Sequence, residues 1–488
     1  VVDTGSEDRT AEICEELGAR VFHWAWRDDF AAARNVSLDH ARGEWLFWMD
    51  SDDTIPAECG RKLRDLARGP HPDHVHGYVV QVHCPNENGT DVTVVDHVKL
   101  FRNRPDLRFE FRIHEQLLPS IRRASGEVAF TDIYVVHSGA DHTPAGRAGK
   151  LDRDFRLLEL ELADRPNHPF VLFNLGMTHA DARQYSDAIG YLQRCITVSQ
   201  PSESHLRKAY ALLVSSLQQT EQFADAHATC RQGLKLYPDD KELLFRNAML
   251  LHQSGRLEKA AGVYRRILAE TTDRHFASVD AGIAGIKARH NLAIVYEDLG
   301  RLEDAEVEWR AVVSESPGNR TAWRRIGELL LQSGRSSELR TLIDDLARRG
   351  GGLAAEGLIL TAKFYERSGD SAMCRQILEE AARRSPDDRI VLDELCRILF
   401  EGDDAAAAVD GLERLVKLDP ENAAARHNLG LAYERCSHYE QAIDSYQAAL
   451  KIDAARSNTR ERLKRLYPVA AATSQHETEQ EREIAVAL

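Results

Sequence analysis

The chain has 488 residues, of which 43% are hydrophobic and 29% are charged, and its formal net charge is −15. This length exceeds one ordinary domain, so we expect two or more. The acidic balance argues against a general nucleic-acid surface and against binding to anionic membranes. No apolar run approaches the roughly 20 residues that cross a bilayer, so we expect no transmembrane segment.

The eight cysteines are scattered and include no Cys-x-x-Cys pair. They predict reduced, buried thiols rather than a disulfide framework or a zinc site. This pattern favours a cytoplasmic protein. The first residues, Val1, Val2 and Asp3, resemble the end of a strand, and we therefore expect that the natural N-terminus lies upstream.

Short strands and helices alternate over the first fifty residues. After the strand that ends at Asp3, the sequence predicts a helix over Arg9–Leu17, a strand over Arg20–Trp26 and a helix over Ala31–Ala41. The bulky apolar run Trp45–Met49 then predicts a strand buried on both faces of a parallel sheet. This βαβα order is the pattern of a doubly wound α/β sheet.

Three carboxylates follow that apolar run within four residues: Asp50, Asp52 and Asp53. Ligand sites of open α/β sheets lie beyond the carboxyl ends of the strands, where two aspartates can hold a hard cation against a diphosphate. The alternative is that these residues only cap a helix beginning near Pro56, a role that suits Asp53. Three clustered carboxylates repel one another unless a cation binds, and this repulsion favours the metal–phosphate hypothesis.

The order of elements changes after residue 70. Val75–Cys84 and Val92–Phe101 alternate like antiparallel strands around a turn at Asn86-Glu87-Asn88-Gly89. A polar stretch follows and leads to Ile113-His114-Glu115. Val128–His137 then predicts a last strand before the helical part of the chain.

Six short motifs occur in order over roughly the first 165 residues: Asp3-x-Gly5-Ser6-x-Asp8-x-Thr10, Asp29-Phe30-Ala31-x-x-Arg34-Asn35, Asp50-Ser51-Asp52, Lys99-Leu100-Phe101-Arg102, Ile113-His114-Glu115 and His137-x-Gly139. Together they resemble a family 2, GT-A type, inverting glycosyltransferase. More narrowly, the chain resembles the bacterial group in which that domain precedes tetratricopeptide repeats. The resemblance implies an α/β GT-A (Rossmann-like) N-terminal domain followed by an all-α tetratricopeptide-repeat superhelix.

The resemblance assigns donor-binding roles to matched positions. Asp3 would accept a hydrogen bond from the base of a nucleotide-sugar donor, and Arg34 would lie near the base or the phosphates. Asp50 and Asp52 would bind a divalent metal, Mn²⁺ or Mg²⁺, together with the ribose–diphosphate of the donor. His137 would complete the metal site.

The resemblance assigns the role of catalytic base to Glu115. Breaking the sugar–phosphate bond develops negative charge on the leaving diphosphate, which a divalent ion neutralises. Positive charge develops at the sugar carbon. In an inverting single displacement, a carboxylate removes the proton of the acceptor hydroxyl on the opposite face of the sugar.

Each of these roles has a structural alternative: a plain turn for Asp3, an ion pair with Asp28 or Asp29 for Arg34, a surface pair with His114 for Glu115, and a structural position after a strand for His137. The chain also departs from the family in two places. The family's first strand and its Lys-Asn-Glu-like segment would lie upstream of Val1, which removes part of the donor pocket. Ala140 stands where the family often has an aromatic residue.

Beyond residue 168 the sequence repeats a helix–turn–helix pattern with the 34-residue period of tetratricopeptide repeats. The clearest unit, 423–456, carries the expected Leu429-Gly430, Tyr433, Ala442 and Tyr446. We predict units at 169–202, 207–240, 241–274, 286–319, 320–353, 355–388, 389–422 and 423–456. The full prediction is a GT-A domain at 1–148 that lacks its first strand, a linker helix at 149–168, repeats at 169–456, a capping helix at 457–467 and a disordered tail at 468–488.

These observations predict an inverting, metal-dependent glycosyltransferase, with a UDP-sugar as the expected nucleotide-sugar donor and a peptide, protein or glycan as the acceptor. The concave groove of the repeats would bind the acceptor or a protein partner, and nucleic acid is not an expected partner. Alternatively, the groove would only support self-association or the catalytic domain. A different class is a non-catalytic tetratricopeptide scaffold with a truncated or degenerate GT-A domain, and a third is a nucleotidyltransferase of the same fold.

Overall fold

The structure, a computed structural model, describes residues 1–85, 92–138, 143–269 and 278–468. In these residues a mixed α/β region precedes a long series of helices, which confirms the predicted fold class. The chain forms two compact units, Val1–Glu308 and Trp309–Leu488. The turn predicted at Asn86–Gly89, the Gly139 of the last motif and residues 469–488 of the predicted tail lie outside the described residues. None of the described helices has the length and the apolar character that a membrane crossing requires.

The described residues of the first unit form eight strands: β1 Val2–Asp3, β2 Phe22–His23, β3 Trp45–Phe47, β4 Asp53–Thr54, β5 Val75–Pro85, β6 Val92–Arg102, β7 Glu127–His137 and β8 Ser278–Asp280. Five helices are interspersed with these strands or follow them: α1 Thr10–Glu16, α2 Phe30–Asp39, α3 Ala57–Arg68, α4 Leu118–Arg123 and α5 Pro144–Asp164. The side chain of Asp29 begins α2 by accepting a hydrogen bond from the amide of Ala32 at 2.8 Å.

The prediction of one parallel sheet through the first three strands is wrong. β1 and β2 pair in parallel, but they form a separate two-stranded sheet. β3 instead pairs antiparallel with β6 at the end of a six-stranded sheet, in the order β3-β6-β5-β7-β4 with β8 also on β6. Because β3 has one neighbour within the described chain, its residues are half-buried rather than buried on both faces.

The long strands form the centre of the larger sheet. β5 and β6 pair antiparallel, which confirms the prediction from their alternating pattern, and β7 runs parallel to β5. Val79 and Val80 of β5 lie in different hydrophobic clusters, because successive residues of a strand point to opposite faces. Both faces of the sheet are therefore covered.

The remaining helices form eight consecutive pairs: α6 Pro169–Asp181, α7 Tyr185–Val198, α8 His205–Gln219, α9 Phe223–Leu236, α10 Lys241–Gln253, α11 Leu257–Ala269, α12 Ile286–Asp298, α13 Leu302–Glu315, α14 Arg320–Gln332, α15 Ser336–Arg349, α16 Gly351–Arg367, α17 Ser371–Arg384, α18 Arg389–Glu401, α19 Ala405–Leu418, α20 Ala423–Arg435 and α21 Tyr439–Ile452. Residues 457–468 are also helical. Small residues permit close packing within a pair: a Cβ on Gly176 of α6 would lie 2.6 Å from Cγ of Leu192.

Two features join the sheet region to the first repeats inside the first unit. Leu157 and Leu158 of α5 share a hydrophobic cluster with Phe111 and Ile113 of the sheet region, and the same cluster includes α6 residues. β8, from the segment between α11 and α12, adds an antiparallel strand to the Thr93–Val95 part of β6. The sheet region and the neighbouring helices therefore pack as one body.

Candidate metal and catalytic site

The acidic cluster is built by the pairing of β4 with β7. These strands are antiparallel, and their register places Asp53 directly opposite His137. The turn before β4 carries Asp50 and Asp52. One potential ligand atom from each of these four residues lies within 4.8 Å of the others. The structure thus brings together all three predicted metal ligands and adds Asp53.

Asp53 holds other residues of the cluster in place. It does not cap the following helix, which is the role that the sequence suggested for it. Its side chain is fully buried and accepts from Lys99 Nζ at 2.7 Å and from the amide of Asp50 at 3.1 Å. Burial alone would raise the pKa of Asp53, but these hydrogen bonds and the charge of Lys99 outweigh it and lower the pKa. The helix that Asp53 was expected to cap, α3, has no side-chain cap.

A β-bulge explains why Lys99 reaches this position. Tyr78 and Val79 of β5 stand opposite Leu100 and Val98 of β6, so that Lys99 is an extra residue in its strand. Bulges change the direction of a side chain and are frequent beside active sites. The ammonium group of Lys99 is buried, and it also lies 3.7 Å from the centre of the Trp48 ring.

His137 is oriented by its neighbours in a way that suits a metal ligand. Its Nδ1 lies 3.0 Å from Oδ1 of Asp53 and 3.4 Å from Oδ1 of Asp52. A carboxylate can only accept, so the hydrogen bond to Asp53 requires the proton on Nδ1. The second ring nitrogen then keeps the lone pair with which histidines ligate metals.

The charges of the cluster also suit a cation. Lys99 neutralises Asp53 and Arg34 pairs with Asp50, whereas the described partner of Asp52 is His137 alone. About a third of the Asp52 side chain is exposed. Carboxylate oxygens together with an imidazole nitrogen are a donor set for divalent ions. The four residues are therefore able to hold a divalent metal.

Arg34 connects the acidic cluster to Glu115. Its Nη2 donates to Oδ1 of Asp50 at 2.7 Å, and its Nε donates to Oε1 of Glu115. The guanidinium carbon lies 4.3 Å from the centre of the Trp48 ring. Burial by itself would lower the pKa of Arg34, but the two carboxylates raise it above its usual value. A single cation thus joins the predicted metal ligand and the predicted base.

The loop that carries Glu115 has an unusual backbone conformation. Phe111 and His114 have φ angles of 74° and 55°, in the left-handed region that residues other than glycine rarely adopt. Two hydrogen bonds of 3.0 Å between the backbones of Glu110 and Gln116 close the loop. Backbone strain of this kind persists where the surroundings enforce it, often at functional sites.

Two contacts from helices hold this loop. The amide of Arg112 donates to Oε2 of Glu161 in α5 at 2.9 Å, and the carbonyl of Arg112 accepts from the amide of Phe30 at the start of α2. Since α2 also carries Arg34, the positions of Arg34 and Glu115 are coupled through the backbone as well as through their side chains.

Asp3 lies apart from this network. Its carboxylate accepts from the amide of Ser6 at 3.2 Å and contacts Nδ1 of His23 at 3.1 Å. The hydrogen bonds from Ser6 are the main cause that lowers the pKa of Asp3 to about 2. Among the described residues, the contacts of Asp3 remain within its own strand pair and turn and do not reach Arg34 or the acidic cluster.

Comparison with known families agrees with this geometry. Residues 1–120 match the family model for glycosyl transferase family 2. Residues 211–275, 290–352 and 394–458 match the model for the tetratricopeptide repeat. The chain joins a family 2 glycosyl transferase domain to tetratricopeptide repeats. The three aspartates of the cluster, Arg34 and Glu115 lie within the matched residues 1–120, whereas His137 lies beyond them.

Two curated proteins are similar to much of the chain. A TPR repeat-containing protein of Synechococcus elongatus is 28% identical over 323 residues, which cover 65% of this chain and 68% of that protein. The SPbeta prophage-derived glycosyltransferase SunS of Bacillus subtilis is 26% identical over 301 residues, which cover 57% of this chain and 68% of SunS. Among solved structures, a tetratricopeptide repeat protein from Parabacteroides merdae matches at a TM-score of 0.33 and 16% identity, covering 54% of this chain and 98% of that one.

Sequence reasoning missed the contacts of Asp53 and Lys99 that support the candidate site. It gave Asp53 the role of a helix cap and gave Lys99 no role beyond a motif match. One signal was present: Lys99 interrupts an apolar run, and a lysine is almost never fully buried without a partner. That signal calls for a carboxylate near Lys99, although the partner is 46 residues away in the chain.

Proposed function

We propose that the N-terminal domain is an inverting, metal-dependent glycosyltransferase that moves a sugar from a nucleotide sugar to a peptide, protein or glycan. One observation carries the proposal: Asp50, Asp52, Asp53 and His137 converge within 4.8 Å, and Arg34 connects this cluster to Glu115. The family match and the likeness to a named glycosyltransferase support it.

In the proposed donor site, Asp50, Asp52 and His137 would hold the divalent ion, with Asp53 and Lys99 fixing their positions. The mixture of carboxylates and an imidazole favours Mn²⁺ over Mg²⁺, because imidazole is a ligand of transition metals. When bound, the ion would offset the negative charge that develops on the leaving diphosphate. A UDP-sugar is the donor we expect.

Two further residues have proposed roles toward the donor. Arg34 is able to exchange its bond with Asp50 for a phosphate oxygen of the donor, since guanidinium groups pair with both carboxylates and phosphates. Asp3, at the end of β1, would accept from the nucleobase. This role requires the nucleobase to reach the turn in which the amide of Ser6 donates a hydrogen bond to one carboxylate oxygen of Asp3.

Glu115 is the proposed catalytic base. Its Oε1 accepts from Arg34, whereas its Oε2 has no hydrogen bond within the described residues. Oε2 is therefore available to accept the proton of the acceptor hydroxyl as that oxygen attacks the sugar carbon. The strained loop and its bond to Glu161 would hold the carboxylate in position.

The repeats would bind the acceptor or a protein partner, because stacked helix pairs form extended binding surfaces. All eight cysteines are free thiols. Their free state supports a reducing, cytoplasmic compartment for this activity.

A donor panel tests the proposed reaction. The chain is incubated with UDP-glucose, UDP-N-acetylglucosamine, UDP-galactose or GDP-mannose, with Mn²⁺ and a mixture of peptide and glycan acceptors, and released UDP or GDP is measured. We expect release from at least one donor, its loss with EDTA and in Asp52→Asn, and no change in Asp73→Asn, which alters an exposed acid in another turn. Release of pyrophosphate instead would indicate a nucleotidyltransferase, and no release from any donor would contradict the proposal.

A further inference from the structure

The stretch of β6 that contains His97 is open on one side. Strand β5 pairs with β6 along its length and covers the opposite side. On the open side, β3 pairs with residues 100–102 and β8 pairs with Thr93–Val95. Within the described chain no strand lies between these two pairings, so residues 96–99 have no neighbouring strand there.

Trp48 occupies part of this open side and joins His97 to the candidate site. Its amide donates to the carbonyl of Lys99 at 3.1 Å, and its Nε1 donates to the carbonyl of Val98 at 2.8 Å. The ring of His97 meets the Trp48 ring edge to face, with 5.9 Å between the centroids. The guanidinium carbon of Arg34 lies 4.3 Å from the centre of the same Trp48 ring. His97 and Arg34 therefore contact one indole, and His97 lies beside the network that Arg34 forms with two carboxylates.

The imidazole of His97 has no hydrogen-bond partner among the described residues. Other histidines of this domain do have partners. Nδ1 of His71 lies 2.8 Å from the hydroxyl of Tyr78, and Nδ1 of His137 lies 3.0 Å from Oδ1 of Asp53. A half-buried polar ring without a partner carries an energetic cost that a ligand hydrogen bond would reduce.

The His97 ring is uncharged near neutral pH. Burial is the main cause that lowers the pKa of His97 to about 4, and the charge of Lys99 lowers it further. The charges of Asp50 and Arg34 also act on this pKa. A neutral imidazole carries one N–H donor and one accepting lone pair. His97 is thus able both to donate to a ligand and to accept from it, and the described chain uses neither capacity.

The surroundings of His97 indicate which part of a ligand it meets. In the proposed reaction the transferred sugar lies between the leaving diphosphate, held at the metal site, and the base Glu115. Arg34 spans this interval, because it bonds both Asp50 and Glu115. The charged groups of the donor have charged partners there, whereas a sugar hydroxyl needs a partner that donates and accepts, as a neutral imidazole does.

We propose that His97 binds a hydroxyl group of the transferred sugar and thereby helps to select the donor. A site that hydrogen-bonds a substrate hydroxyl discriminates against analogues that lack it, since its own polar group is then left without a partner. This inference deepens the proposed function and rests on it. It adds a residue that discriminates between sugars to a site otherwise built to hold a diphosphate and a proton acceptor.

Calorimetric titration of the full chain separates contact with the sugar from contact with the nucleotide. The chain is titrated with UDP, GDP and each donor of the panel, all in the presence of Mn²⁺. His97→Phe keeps an aromatic ring against Trp48 and removes both nitrogens. It should bind the nucleotide sugar about 10-fold more weakly than the wild type and the free nucleotide equally well. An equal loss for both ligands, or no loss for either, would overturn the proposal.

Two further variants separate hydrogen bonding from packing. His97→Gln retains a donor and an acceptor, so its affinity for the nucleotide sugar should lie within about 3-fold of the wild-type value. His83→Phe is the matched control, because His83 is a half-buried histidine of β5 that stacks on Tyr134. It should bind both ligands as the wild type does. The same loss of sugar affinity in His83→Phe as in His97→Phe would contradict a specific contact.

Donor analogues that each lack one hydroxyl identify the contacted group. With the panel donor that the wild type uses, one analogue should bind about 10-fold more weakly than the full donor, and His97→Phe should bind the two equally. Steady-state kinetics then distinguish the acceptor as the ligand. A raised acceptor KM with an unchanged donor KM in His97→Phe would overturn the assignment to the donor sugar.

Failure of the transferase proposal would be distinguishable from failure of this inference. No metal-dependent binding of UDP or GDP to the wild-type chain would overturn both. Metal-dependent nucleotide binding, together with equal affinities of wild type and His97→Phe for the nucleotide sugar, would overturn only the contact of His97 with the sugar.

Discussion

Lys99 in the transferase domain and Arg246 in the repeats both carry a buried nitrogen on a cationic side chain, but within the described residues only Lys99 has a carboxylate partner. Lys99 is buried, bonds Asp53 at 2.7 Å and lies over the Trp48 ring. Arg246 has a buried Nε without a partner, in a groove whose described lining contains no acid.

The presence or absence of a carboxylate partner distinguishes these two buried cationic groups. In the transferase domain, the internal pair fixes the geometry of neighbouring residues, since Asp53 also holds His137 and the amide of Asp50. In the repeats, the Nε of Arg246 has no hydrogen-bond partner within the described chain. Loss of the Lys99 cation should therefore lower the stability of its region, whereas loss of the Arg246 cation should not.

The largest expected effect concerns the reaction. Glu115→Gln should lower the rate of sugar transfer about 10²- to 10⁴-fold, the usual contribution of a general base, and should leave metal-dependent nucleotide binding intact. Initial rates at saturating donor measure the effect. Glu127→Gln, at the exposed start of β7, is the control. Unchanged turnover in Glu115→Gln would remove Glu115 as the base.

The next largest effect tests the internal pair. Lys99→Met should lower the free energy of unfolding by about 3–5 kcal/mol, because it leaves the Asp53 carboxylate buried without its cation. Urea denaturation followed by circular dichroism measures the loss. The double variant Lys99→Met/Asp53→Asn should recover part of it, since the uncompensated charge is gone. A loss below about 1 kcal/mol in the single variant would contradict the importance of the pair.

Close packing inside the repeats predicts a smaller effect. Gly176→Ala should cost about 1–3 kcal/mol, because the new methyl group would overlap Leu192. Gly190→Ala in the partner helix α7 meets no atom within 4 Å, and it should stabilise the helix by about 0.5–1 kcal/mol. Changes of opposite sign in the free energy of unfolding, measured with denaturant, would support the packing of α6 against α7. A loss of similar size in both variants would contradict it.

The smallest effect is a pH dependence. The pKa of Asp53 is lowered below 3.8, so its carboxylate contributes stability that is fully present above the unfolded pKa and is lost as the pH falls through the folded value. The stability difference between the wild type and Asp53→Asn should therefore be constant near neutral pH and should narrow below about pH 4. A stability difference between the two proteins that widens as the pH falls would contradict this prediction.

The two regions also differ in how far sequence predicts them. The repeat period locates helices without reference to distant residues. The described chain has eight helix pairs between Pro169 and Ile452, although α8 and α16 begin two and four residues before the units predicted for them. Six of the eight described strands were located as well, but β4 and β8 were not. The antiparallel pairing of β3 with β6 was also missed, because strand neighbours are set by distant parts of the chain. The bulge that directs Lys99 to Asp53 depends on that same pairing.

The candidate site shows the same division. Asp50, Asp52, His137, Arg34 and Glu115 were proposed from short motifs, and the structure brings these residues into one connected network. The supporting contact of Asp53 with Lys99 was missed because local sequence offered a simpler role for Asp53, that of a helix cap. Arg246 carries no motif at all, and its lack of a partner is visible only after folding.

Calorimetric titration of the chain with UDP and with GDP, in the presence of Mn²⁺ and in the presence of EDTA, tests the central claim most directly. The account predicts that at least one nucleotide binds with Mn²⁺, that EDTA abolishes binding, and that Asp52→Ala loses it while Asp73→Asn keeps it. Binding that is independent of the metal, or that survives in Asp52→Ala, would contradict the assignment of the Asp50, Asp52 and His137 cluster as the donor metal site.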